Sequence, residues 1–117
     1  MAAPSRVSIP DAPHLALTVL DELRAALLSE LATKAAECAE HDARARSLTG
    51  QTDPDSLLER ELAEMGASRA QEAIAEIQHA LARMDVGSYG WCEACAAPVA
   101  PERLEAIPHA RYCVTCS

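Results

Sequence analysis

Two Cys-x-x-Cys pairs, Cys92-Glu93-Ala94-Cys95 and Cys113-Val114-Thr115-Cys116, stand 17 residues apart and constrain this chain more than any other feature. Each pair supplies two thiolates from one tight turn. A loop of this length can fold back so that four sulfurs surround one Zn²⁺ as a tetrahedron. Two disulfides are the competing assignment, but the spacing falls in the range of zinc sites. With Cys92, Cys95, Cys113 and Cys116 as ligands, no coordination position is left for water, so the expected zinc is structural and not hydrolytic. His109 is a substitute ligand only if the cysteine set is incomplete. The stretch around the pairs carries little apolar mass, so metal binding and folding of this lobe should be coupled.

Upstream, His14 to Ser47 contains neither glycine nor proline, and helix formers dominate. Leu20, Leu23, Leu27, Leu31, Ala35 and Cys38 recur at three-and-four spacing and predict one apolar stripe. Asp11 can cap this helix, with Pro13 in its first turn. Gly50 and Pro54 break the pattern. Thr52 or Asp53 can cap a second helix from Pro54 to about Val86, with Leu58, Leu62, Met65, Ala70, Ile74, Ile77, Leu81 and Met84 as its stripe. Gly66 inside it costs about 1 kcal/mol against alanine. Two helices of similar length joined by a short turn predict an antiparallel hairpin. The expected fold is therefore all-α. It comprises an N-terminal tail over 1–12, a helical hairpin over 13–87 with its tip near 48–56, and a four-cysteine zinc finger over 88–117.

Composition narrows the function. The chain of 117 residues has no phenylalanine and only one tryptophan, too little aromatic mass for a sheet-based core. Its net charge is -8, and four thiolates with one Zn²⁺ bring it to about -10. Such a surface repels phosphate backbones, so direct DNA binding is not expected. Arg103, Arg111 and His109 around the cysteines are balanced by Glu93, Glu102 and Glu105, and no basic stripe interleaves with aromatics. Trp91 and Tyr112 can stack on bases, but packing against the small lobe is their simpler use. No catalytic triad, phosphate-binding glycine loop or His-Glu metal helix is present, so an enzyme is not expected. The first residues lack an apolar signal region and no run approaches a membrane span. Cysteines in metal spacing then suggest a reducing cytoplasm. Cys38, apart from the others, reads as a small core residue.

The turn between the helices carries Asp53 and Asp55 on either side of Pro54. Helix capping accounts for one acid. Two acids at the tip of a projecting hairpin also form a group that can reach toward a bound metal ion or a basic loop of a partner. Both readings stand on the residues alone.

The run Ala80-Leu81-Ala82-Arg83-Met84-Asp85-Val86-Gly87-Ser88-Tyr89-Gly90-Trp91-Cys92-Glu93-Ala94-Cys95, with Pro101-Glu102-Arg103-Leu104-Glu105-Ala106-Ile107-Pro108 and the second cysteine pair, closely resembles the DksA/TraR zinc-finger family. The resemblance implies a bacterial transcription regulator that binds RNA polymerase through its secondary channel. In that family the hairpin tip approaches the active centre and the zinc lobe stays at the rim. It places Asp53 at the first acidic tip position, Ser56 at the second and Leu58 where the family has alanine, with Asp55 as a possible substitute. Ala96 stands where glycine follows the second cysteine, a strained position if the backbone there needs positive φ. The lysine-rich second arm that some members use with ppGpp is missing. Arg69 remains, but Glu76 and other acids share that arm, which counts against ppGpp dependence. A zinc-stabilised adapter without polymerase activity, or a nucleic-acid-binding zinc ribbon, are the alternatives. Oligomeric state is left open by the thin alanine-rich stripe.

Overall fold

A computed structural model describes residues 14–117. The tail expected over 1–12, with Asp11, and Pro13 as a helix start, lie outside the described residues. Three helices follow in order, α1 Leu17–Ser47, α2 Pro54–Val86 and α3 Pro101–Ala106. Among the described residues no strand forms; one isolated antiparallel bridge joins Trp91 to Pro98. The fold is helical, and none of these helices is long and apolar enough to cross a membrane.

The ends of α2 follow from its sequence. Pro54 takes the first position, where a missing N–H removes no helical bond. Before it, Asp53 accepts a hydrogen bond from the Ser56 backbone N–H through Oδ2 at 3.0 Å, the bond an N-cap makes. At the other end Gly87 adopts φ 80°. The Gly87 N–H donates to Met84 O and the Ser88 N–H to Arg83 O, at 3.4 and 2.9 Å. That paired closure needs a left-handed residue at its centre, which glycine adopts without Cβ strain.

The chain divides into two compact units. One is Glu30–Ala75. In it the helices run antiparallel: Arg44 pairs with Glu59, and Cys38 Sγ lies 3.8 Å from Ala67 O. Its buried face on α2 is Ala63, Ala67 and Ala70, with Leu48 beneath the turn. Ala70 was expected on the stripe and is buried; the rest of this face corrects the expectation. Leu58, Leu62 and Met65 are exposed, at 56, 56 and 47%, and on α1 Ala35 is exposed while Leu31 and Cys38 are half-buried. The reason is separation: alanines let two backbones approach closely, and larger side chains on that line would hold them apart. Gly66 belongs to the same device, since a Cβ there would lie 2.6 Å from Cε1 of the His41 ring.

The other unit joins the chain up to Ser29 with Glu76–Ser117. Leu15, Leu23, Leu27, Ile77 and Ala80 are buried there together with Tyr89, Val99 and Leu104. Leu23, Leu27 and Ile77 are stripe positions read correctly from spacing. His14 donates through Nε2 to Val99 O at 3.0 Å, and its ring meets Trp91 edge-on at 5.2 Å. The Tyr89 hydroxyl donates to Pro108 O at 2.8 Å. Burial of that hydroxyl pushes its pKa up to about 12, so it stays a donor.

Candidate metal centre and acidic turn

The first cysteine pair sits on a narrow reversal. The Val99 N–H donates to Gly90 O, the Cys92 N–H to Ala97 O and the Ala96 N–H to Cys92 O, at 2.8, 2.8 and 2.9 Å. The second pair sits on a turn closed by the Cys116 and Ser117 N–H groups, both donating to Cys113 O at 3.0 Å. Between them α3 begins at Pro101 and buries Leu104 completely. The Glu93 N–H donates to Arg111 O at 2.8 Å and ties the two turns together.

This brings the four cysteines to one point. Their Sγ atoms all lie within 4.8 Å of one another, and Cys95 and Cys113 are 3.7 Å apart. A zinc tetrahedron with bonds of about 2.3 Å has sulfur–sulfur edges of about 3.8 Å, so the donor set fits. All four thiols are free. Among the described residues no other group of His, Cys, Asp and Glu gathers this way, and His109 is not in it. The electrostatics also call for a cation. Cys92 is held down to about 6, first by the Cys113 backbone N–H, and Cys113 is lowered, first by the Cys116 N–H. Cys116 is pushed up to about 12 by the sulfurs around it, Cys113 foremost. For Cys95 the Ala97 N–H favours the thiolate, yet the neighbouring sulfurs prevail and raise it. Four like charges do not ionise together unless a metal ion neutralises them. The centre takes one structural Zn²⁺.

A charged cluster around Glu93 braces this lobe, and sequence reading missed it. By charge pattern alone Glu93 is only one of several balanced surface acids. Its carboxylate accepts from Arg111 at 3.0 and 3.1 Å, from His79 Nε2, and lies 3.2 Å from Arg83 Nη1. Arg83 also donates to Ser88 O and Trp91 O, at 2.7 and 2.6 Å, and Arg111 reaches Glu76 at 3.1 Å. Burial pushes the Glu93 carboxyl upward, but the Arg111 and His79 bonds and the Arg83 charge outweigh it and hold it below the usual range. The signal was available: His79 and Arg83 are four apart on one face of α2, and only Glu93 lies inside a Cys-x-x-Cys pair.

The knuckle carries the expected strain. Ala96 adopts φ 64°, the one positive-φ residue other than glycine among those described.

At the turn of the Glu30–Ala75 unit, Asp53 and Asp55 are exposed, while Ser56 is only 8% exposed. The Ser56 hydroxyl donates to Gln51 Oε1 at 2.8 Å. Bonds from Ser56, its backbone N–H first, lower the Asp53 pKa. Of the three predicted tip residues, two present carboxylates to solvent and the third is committed to holding the turn.

Residues 87–116 match the model of the prokaryotic dksA/traR C4-type zinc finger. An uncharacterized protein of Aquifex aeolicus is 45% identical over 42 residues, which is 36% of this chain and 29% of that protein's length. Among solved structures, transcription factor DksA2 from Pseudomonas aeruginosa superposes with a TM-score of 0.79 at 25% identity, over 92% of this chain and 86% of that one.

Proposed function

We propose that this chain, whose residues 87–116 match the prokaryotic dksA/traR C4-type zinc finger, regulates bacterial transcription by binding RNA polymerase through the secondary channel. In this reading the acidic turn approaches the polymerase active centre and the zinc lobe rests at the channel rim. The carrying observation is the turn itself. Asp53 and Asp55 are exposed carboxylates on a loop pinned by Asp53, Ser56 and Gln51. Exposed carboxylates on a braced turn can reach toward a bound metal ion or a basic loop of a partner. Ser56 acts as the brace that aims the two acids. The four cysteines hold structure and leave the metal no open position for chemistry. The acidic charge of -8 disfavours contact with DNA itself.

Transcription with purified polymerase tests this reading. The protein should change initiation at sensitive promoters and compete with another secondary-channel protein for the polymerase. Asp53→Asn with Asp55→Asn should abolish the effect while binding persists, because asparagine still caps α2. Absence of competition at saturating protein would defeat the assignment to the channel.

A further inference from the structure

On the solvent side of α2, Asp55, Leu58, Leu62, Met65 and Arg69 succeed one another at intervals of three, four, three and four residues, which puts them in one row. The three apolar members are about half exposed, and Leu57 beside them is 47% exposed. An open groove of ≈ 380 Å³ runs alongside, lined by Lys34, His41, Leu62, Met65, Gly66 and Arg69.

The charges at the ends of the row are placed symmetrically and suit one occupant. Three pairs on this unit are satisfied internally, Arg44–Glu59, Arg60–Glu64 and Lys34–Glu37. Asp55 and Arg69 have no ion-pair partner among the described residues. They lie seven residues before and seven residues after Leu62. A row with an acid at one end, a base at the other and an apolar centre is complementary to itself when reversed. Two copies of α2 laid antiparallel about a two-fold axis at Leu62 set Asp55 of each copy against Arg69 of the other. The same operation brings Leu58 of one copy beside Met65 of the other. Isologous contacts have this form.

We propose that this row on α2 is a homodimer interface, with a second copy of the chain as its occupant. Three or four large side chains per copy cover much less than the roughly 800 Å² per partner of a stable interface. The dimer is therefore weak and concentration-dependent, and it yields to a partner that binds the same arm more tightly. The proposal does not rest on the transcriptional reading, since purified protein alone tests it.

Sedimentation velocity from micromolar to millimolar protein decides the matter, with circular dichroism confirming that each exposed-site variant is folded. The wild type should pass from monomer to dimer across that range. Leu62→Gln, which meets itself at the axis, should keep the chain monomeric. Asp55→Arg and Arg69→Asp should each weaken self-association by about tenfold or more, because attractive pairs become repulsive ones. An equimolar mixture of those two variants should recover the association, since every cross-pair is again opposite in sign. A wild type monomeric throughout overturns the proposal, as does a dimer indifferent to Leu62→Gln or a mixture that fails to recover. Monomeric wild type with Leu62→Gln impaired in polymerase binding would assign the row to polymerase instead.

Discussion

Ala96 holds φ 64° inside the first zinc turn, a conformation that costs an L-residue roughly 1–2 kcal/mol. Glycine removes that cost and adds backbone freedom to the unfolded chain, so the two effects partly cancel. Ala96→Gly should therefore stabilise the zinc-loaded lobe by about 0.5–1 kcal/mol, read as a shift in its denaturation midpoint; a lower midpoint would mean that the knuckle is relaxed with alanine. Asp53 offers a second test at this scale. Its pKa is lowered by bonds from Ser56, so the cap contributes fully above the ordinary aspartate value of 3.8. That contribution is lost as pH falls through the depressed folded-state value. Amide exchange at Ser56 and Leu57 should accelerate relative to mid-helix amides in that acidic window, after correction for intrinsic rates, and Asp53→Ala should show the faster exchange already at neutral pH. The charge at Asp53 was legible in sequence; the inward turn of Ser56 was not, because its partner Gln51 lies across the loop and only the folded loop brings them to 2.8 Å.

At the scale of the elements, the extents of α1 and α2 were readable because glycine and proline mark their ends. The face α2 presents to α1 was not. Two candidate stripes lie on α2, one of Leu58, Leu62 and Met65 and one of Ala63, Ala67 and Ala70. Hydrophobicity favours the first, whereas close helix approach selects the second. Gly66 tests the point, since helix propensity alone predicts that Gly66→Ala gains about 1 kcal/mol. The His41 ring, 2.6 to 2.7 Å from where the new Cβ would sit, should cancel most of that gain. In a His41→Ala background the same substitution should recover it, a coupling that a double-mutant cycle measured by urea denaturation reads directly. Equal effects of Gly66→Ala in both backgrounds would show that the ring moves aside freely.

At the scale of the whole molecule, the zinc lobe is compact with the ends of both long helices, in the unit that includes Glu76–Ser117. Its own buried apolar set is small, with Tyr89, Val99 and Leu104 the main members. Removing zinc with a strong chelator should therefore unfold 87–116. Trp91, the single tryptophan, should report this by a red shift in emission that one equivalent of zinc reverses. Acidification should release the metal as protons return to the thiolates, and reloading should release protons in turn. An emission spectrum unchanged by chelation would show that the lobe folds without metal. The metal centre was the most legible part of this chain, since tetrahedral thiolate coordination needs two turns of fixed spacing and a return loop, all of which are local patterns. The extents of the helices were local too. Tertiary structure decided which face of α2 is buried, that Glu93 gathers His79, Arg83 and Arg111, and that Ser56 turns inward. Each of those depends on how closely two segments distant in sequence approach, which is set by packing and not by the pattern of either segment alone.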